Sequence, residues 1–258
     1  MNLTNLNRHL NLTLHPPQKA RNAKMGDKGG DTIKWPKIKL KPNLNVSYLK
    51  NHDLFTVENC LTSDESKGFV KIAESLGFTH QGSRGPAYGE AYRDNHRISV
   101  NDPVLADTLW QSGLSDLFTD IKIRRKVAVG LNPNIRFYRY SAGQHFGRHI
   151  DESADLEDGK RTYYTLLIYL SGNSTKSKSK SSSSKTNVSS SAEPLVGGET
   201  VFYGSRNSIV AEVINSQIVA PMEGMALFHI HGDKCMLHEG RNVSKGVKYV
   251  FRSDVVFA

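Results

Sequence analysis

From Asn134 to the C-terminus the apolar residues recur at every second position, and that period restricts the chain more than any other feature does. Ile135, Phe137 and Arg139 alternate with Arg136, Tyr138 and Tyr140, and side chains two residues apart share one face of a strand. Residues 161–170, RTYYTLLIYL, make an apolar, β-branched and aromatic run suited to a central strand. Residues 200–203, 209–219, 226–230 and 245–257 read as further strands, punctuated by Gly and Pro.

The helical signals lie upstream of this region. A short strand is expected at residues 54–57, and Thr62-Ser63-Asp64-Glu65 then has the spacing of a capping box. Phe69, Ile72, Ala73 and Leu76 follow at helical spacing, with Gly77 as the stop. Asp102-Pro103 opens a second helix that buries Leu105, Leu109 and Trp110 and ends at Gly113. Residues 79–98, rich in Gly and polar groups, are expected to form a mobile loop near a site. Within that loop, Arg93, Asn95 and Arg97 are either substrate contacts or solvated. Two helices followed by many strands predict a mostly β protein, an antiparallel double sheet buttressed by helices.

The chain has 258 residues and 38% apolar residues, enough for one sizeable core. The formal net charge of +9 is unevenly placed. Residues 1–48 carry +7, residues 172–192 carry +4, and the remainder is near −2. The basicity therefore belongs to two polar segments: an extension over 1–48, expected to be disordered, and a Ser/Lys-rich disordered insertion at 172–192. The folded domain is expected over residues 49–258. A near-neutral body gives little support to a nucleic-acid partner. No apolar run approaches the roughly 20 residues that span a bilayer. Two cysteines, Cys60 and Cys235, cannot form a disulfide framework, so an intracellular compartment, cytoplasmic or nuclear, is expected. The acid-poor opening has the composition of an organelle transit peptide and equally of an inert extension.

Chemistry-bearing residues concentrate in YSAGQHFGRHID, residues 140–151. In an extended strand His149 and Asp151 point to the same side, with Ile150 turned away. One more imidazole would complete a set of two His and one carboxylate, the arrangement of non-haem Fe(II) sites. His238 in LHEG is the candidate for it. His229 and His231 compete for the same position, with a hydrogen-bonded core or rim histidine as the simpler account of both.

Several stretches extend this pattern in one order: RFYRYSAGQHFGRHID, YYTLLIYLSG, GGETVFYG, GMALFHIHGDKCMLHEG and VSKGVKYVFRSDVVF. Together they make residues 135–257 resemble the catalytic domain of the 2-oxoglutarate- and Fe(II)-dependent dioxygenases, in the prolyl 4-hydroxylase-like branch. The resemblance implies a double-stranded β-helix, or jelly-roll, core of about eight strands. It implies His149, Asp151 and His238 as iron ligands, with open positions for 2-oxoglutarate and O2. Lys248, ten residues after His238, matches the family's lysine that holds the far carboxylate of 2-oxoglutarate. Arg252 is the alternative, about 13 Å further along the strand. Tyr140 and Thr165 match further polar contacts to that carboxylate. Gly197-Gly198-Glu199-Thr200 resembles a structural turn of the family.

The activity so implied is decarboxylation of 2-oxoglutarate to succinate coupled to hydroxylation of a substrate. Ascorbate would serve as reductant, and a protein or peptide, with peptidyl proline as one option, would be the substrate. Within the enzyme class an oxidative nucleic-acid demethylase is the alternative. Outside it stands a non-catalytic metal-binding jelly-roll sensor.

Overall fold

A computed structural model describes residues 33–82, 91–173, 193–204 and 216–258. The proposed transit-like opening, most of the Ser/Lys insertion and residues 209–215 lie outside the described residues. Among the described residues, no helix is long and apolar enough to cross a membrane.

The chain runs through β1 (Asn45–Lys50), β2 (Leu54–Glu58), α1 (Ser63–Leu76), β3 (Thr79–Gln81), β4 (Asn95–Asn101) and α2 (Pro103–Leu109). It continues with β5 (Lys122–Ile123), β6 (Lys126–Leu131), β7 (Asn134–Tyr140), β8 (Phe146–His149) and β9 (Arg161–Tyr169). After β9 come β10 (Val196–Gly197), β11 (Thr200–Phe202), β12 (Gln217–Val219) and β13 (Ala226–Ile230). The last strands are β14 (His238–Gly240), β15 (Val243–Lys245) and β16 (Lys248–Phe257).

The larger sheet has the order β1-β2-β13-β9-β16-β7-β4-β3. Its spine is β16, which pairs with β9 along one edge and with β7 and then β6 along the other. A smaller sheet has the order β12-β11-β14-β8, and β10 and β15 form a short ribbon. The pairings are antiparallel, and the two larger sheets make the jelly-roll expected from the sequence.

Alternation along each strand divides the core in two. Phe137, Leu166, Ile168, Phe228 and Phe251 turn toward the helices and pack with Phe69, Leu109 and Phe118. Their neighbours Tyr138, Tyr140, Leu167, Tyr169, Leu227 and Val250 turn inward and meet Phe202 and Val219 of the smaller sheet. A period of two thus assigns each strand one face for the helices and one for the interior. Polar residues on the inward face, including Thr165, His229, Lys248 and Arg252, are placed by the same alternation inside the roll.

The helix termini follow their sequence signals. Thr62 caps α1 through the Glu65 amide at 3.2 Å, and Glu65 accepts from the Thr62 amide at 2.7 Å, closing the capping box. Gly77 ends the helix at φ +82°, where a side chain would be strained. Asp102 caps α2 through the Leu105 amide at 2.9 Å, with Pro103 in the first turn.

Two expectations change. Order reaches back into the segment read as an extension: Trp35 stacks on Phe137 with ring centroids 5.3 Å apart, and β1 pairs with β2. A single Trp among charged residues leaves no periodic signal, yet its area is buried against a core formed much later in the chain. Part of the predicted loop is sheet, since β3 pairs with β4 and β4 with β7. Residues 83–90 lie outside the described residues.

Glu65 also joins the leading segment to α1. Its carboxylate accepts from the Lys39 amide at 2.6 Å and from Lys41 Nζ at 3.0 Å. Thr62→Ala should cost about 1 kcal/mol, lowering the melting temperature by roughly 2–4 °C. Glu65→Ala should cost more, because it removes the acceptor shared by the Thr62 and Lys39 amides and the counter-ion of Lys41. Equal losses in thermal melts of the two variants would show that the tie to residues 39–41 contributes nothing.

Candidate metal centre

The pairing of β8 with β14 sets His149 directly opposite His238. Their rings lie 4.2 Å apart, Phe146 stacks on His149 at 3.7 Å, and Phe202 stacks on His238 at 5.1 Å. His149 Nδ1 donates to the Gly147 carbonyl at 2.8 Å, and His238 Nδ1 donates to the Met236 carbonyl at 2.9 Å. A carbonyl can only accept, so each ring carries its proton on Nδ1 and keeps the Nε2 lone pair for a metal. Those Nε2 atoms stand 3.7 and 3.8 Å from the Asp151 carboxylate oxygens. The ligand atoms of His149, Asp151 and His238 all lie within 4.8 Å of one another.

Asp151, just past the end of β8, is held from both its backbone and its side chain. Its amide donates to Cys235 Sγ at 3.2 Å, and its carbonyl accepts from the Gly232 amide at 2.9 Å. Its Oδ2 accepts from Thr165 Oγ1 at 2.8 Å and pairs with Arg252 Nη2 at 3.1 Å. Thr165 spends its hydroxyl proton on Asp151, so it accepts from His231 Nδ1 at 3.0 Å. His231 Nε2 must then accept from Thr162 Oγ1 at 3.1 Å, and Thr162 accepts from the Ala154 amide at 2.9 Å. This directed chain and Arg252 occupy Oδ2. Oδ1 is left toward His149.

The electrostatics suit a divalent cation. Burial and the nearby His238 push His149 down to about 4. Burial also lowers His238. Burial alone would raise the Asp151 carboxyl, but Arg252 and the surrounding imidazoles outweigh it and hold the group well below the usual carboxylate range. Near neutral pH the cluster is two neutral imidazoles and one carboxylate, the protonation states that ligate metal without losing a proton.

A cavity of about 50 Å³ opens beside these groups and is lined by Tyr140, Thr200, Lys248 and Arg252 among others. Lys248 is 4% exposed, and among the described residues it forms no ion pair with a carboxylate. Its Nζ donates to the Gly198 carbonyl at 2.6 Å and lies 5.5 Å from the Tyr140 ring and 5.4 Å from the Tyr169 ring. Burial pulls the ammonium down to about 8. Tyr140 faces Lys248 across the β7–β16 register. Gly198, at φ +73°, gives room to the lysine stem; a Cβ there would sit 3.0 Å from Lys248 Cδ. The GGET turn thus supplies both a carbonyl and a space.

The expected site residues therefore gather on one interior face, in two groups. His149, Asp151 and His238 converge at the candidate metal position, while Lys248 and Tyr140 sit together in the adjoining cavity. Thr165 and Arg252, expected on a dicarboxylate, make their contacts with Asp151. His231 lies behind Thr165 in the hydrogen-bond chain. Arg93 lies over the Phe146 ring at 4.4 Å, Asn95 is buried, and Arg97 pairs in register with Tyr138. Cys235 and the Gly198 carbonyl also touch the site, as contacts of Asp151 and Lys248. Their only sequence signals were their positions within GDKCMLHEG and GGET.

No family model and no curated protein matches the chain. Solved structures do. A viral collagen prolyl hydroxylase from Paramecium bursaria Chlorella virus-1, in complex with 2-oxoglutarate, is 16% identical; the match covers 82% of this chain and 99% of the other, with a TM-score of 0.50. A prolyl hydroxylase from Trichoplax adhaerens, bound to a fragment of hypoxia-inducible factor, is 16% identical over 80% and 84% of the two chains at a TM-score of 0.52. An oxidoreductase of the 2-oxoglutarate-Fe(II) oxygenase family from Burkholderia pseudomallei is 13% identical over 80% and 86% at 0.51. The chain thus has the jelly-roll fold of the prolyl 4-hydroxylase-like 2-oxoglutarate oxygenases, with a His–Asp–His cluster suited to iron on its inner face.

Proposed function

We propose that this protein is an Fe(II)- and 2-oxoglutarate-dependent dioxygenase that hydroxylates a peptide. One observation carries the reading: Lys248, a buried ammonium that forms no ion pair with a carboxylate among the described residues, shares a cavity with the His149–Asp151–His238 cluster. Burying a charge unpaired is costly, and a dicarboxylate entering the cavity removes that cost by bringing the partner itself. Lys248, with the Tyr140 hydroxyl, would hold the far carboxylate of 2-oxoglutarate. His149, Asp151 Oδ1 and His238 would hold iron. When bound, the iron supplies the coupled oxidative decarboxylation of 2-oxoglutarate and hydroxylation of a C–H bond.

The chain's own residues set the conditions for that chemistry. The backbone carbonyls of Gly147 and Met236 fix the tautomers of the two imidazoles. Thr165 and Arg252 hold Asp151 Oδ2 and so favour ligation through a single oxygen, leaving coordination positions for cosubstrate and O2. Phe146, Phe202 and Tyr169 wall the site and lower its dielectric, which strengthens the Lys248–carboxylate pair. A peptide substrate is supported by the fold likeness to a prolyl hydroxylase described in complex with a peptide fragment. Peptidyl proline is the first residue to test.

Anaerobic addition of Fe(II) and 2-oxoglutarate should produce a visible metal-to-ligand charge-transfer band that Asp151→Ala abolishes; a band unchanged in that variant would refute the metal assignment. Lys248→Ala should weaken 2-oxoglutarate binding by roughly 100-fold, about 2.7 kcal/mol, as expected for loss of a buried charge-assisted pair. In the native protein the dissociation constant should be flat below pH 8. Above it, the constant should rise toward tenfold per pH unit, because the free ammonium deprotonates near 8. A flat profile to pH 10 would mean another cation holds the ligand.

Metal affinity has the opposite dependence. Because His149 titrates near 4 rather than at an ordinary imidazole value of about 6.5, Mn(II) binding measured by calorimetry should hold to about pH 5. It should fall as pH drops through 4, where protons displace the metal. Succinate release should rise with proline-containing peptides and not with methylated oligonucleotides; the reverse would transfer the assignment to nucleic-acid demethylation.

A further inference from the structure

A second set of potential ligands shares His238 with the first. His229 lies on the inward face of β13, two residues before His231, and is 2% exposed. Its Nδ1 lies 3.4 Å from the Ile230 carbonyl, an acceptor, which leaves Nε2 with an unshared lone pair. That Nε2 is buried and has no hydrogen-bond partner among the described residues. Asp151 Oδ2, also an acceptor, faces it at 3.5 Å. Arg252 Nη2, 3.1 Å from the same Oδ2, answers the carboxylate and leaves the imidazole lone pair without a partner among the described residues.

Cys235 supplies the remaining donor. It stands in the turn between β13 and β14, where its Sγ is 3.2 Å from the Asp151 amide, and it is only partly buried. The ligand atoms of His229, Cys235 and His238 lie within 4.8 Å of one another. The two rings are 4.6 Å apart in an edge-to-face arrangement. Two imidazole nitrogens and one sulfur form a soft, tetrahedral-type set, unlike the oxygen-containing set of His149, Asp151 and His238.

We propose that His229, Cys235 and His238 form a second, mutually exclusive metal site that takes a thiophilic divalent ion, with Zn(II) as the type. The ion binds two Nε2 lone pairs and the Cys235 sulfur, and the thiol proton passes to solvent. His238 cannot ligate two ions at once, so zinc on this set withdraws a ligand from the iron set. A thiophilic ion therefore switches the first site off without occupying it.

The inference does not depend on the oxygenase reading, and Co(II) as a spectroscopic probe separates the two. Co(II) added anaerobically to the reduced apoprotein should give a near-ultraviolet thiolate-to-cobalt band. The band should persist in Asp151→Ala, which cripples the first set. It should vanish in Cys235→Ser and in His229→Ala, with the native fold checked by circular dichroism. Absence of the band from both the native protein and Asp151→Ala, or its survival in Cys235→Ser, overturns the proposal. Should the substituted proteins fail to fold, X-ray absorption of the zinc-loaded native protein decides the matter alone. A sulfur scatterer at about 2.3 Å supports the site, and a shell of nitrogen and oxygen only refutes it.

Discussion

The site depends on one cross-strand pair. Strands β8 and β14 bring His149 and His238 opposite each other in the smaller sheet, although many other elements separate them in the chain. Register is unforgiving in such a pair: a slip of one residue on β14 would replace His238 with Leu237 or Glu239 and turn the imidazole to the other face. Pairing of β14 with β11 on its other edge, where His238 opposes Phe202, holds that register. The apolar sandwich of Phe146 on His149 and Phe202 on His238 then fixes the rings.

The larger sheet supplies the groups that act on this pair. Its inward face carries Lys248 and Arg252 on β16, Thr165 on β9 and His229 on β13, each at a position where the alternation demands an interior side chain. Polar residues there are expensive unless satisfied. Thr165 is satisfied within the protein, through Asp151 and His231, and Arg252 pairs through Nη2 with Asp151 while its Nε has no hydrogen-bond partner among the described residues. Among the described residues Lys248 Nζ donates only to a carbonyl, beside the Tyr140 and Tyr169 rings, and His229 Nε2 has no hydrogen-bond partner. The proposed ligands, a carboxylate at Lys248 and a cation at His229, would supply partners at these two places.

The helices and the leading segment serve a different purpose. They cover the outer face of the larger sheet, where Phe137, Phe228 and Phe251 would otherwise meet water. By closing that side they force the polar groups of the opposite face into the roll. The capping box of Thr62 and Glu65 matters to the site only through this packing, since α1 lies against Phe137 and Phe251, on the same strands as Tyr140 and Lys248.

Much of this was legible in the sequence because it rests on local rules. The strand period, the capping box, the Asp102-Pro103 start and the shared face of His149 and Asp151 need only near neighbours. What required the folded chain was every relation between distant segments. The place of Arg252 and Thr165 on Asp151 could not be read from strand spacing, because that spacing gives distance along a strand and not which neighbour lies across it. Trp35 left no pattern, and the nearness of Cys235 to His229 follows from a turn whose path the sequence does not specify. Sequence by itself determined which residues face inward. Tertiary structure decided which of them meet, because contact across a sheet is set by register and sheet packing, and these are properties of the whole chain.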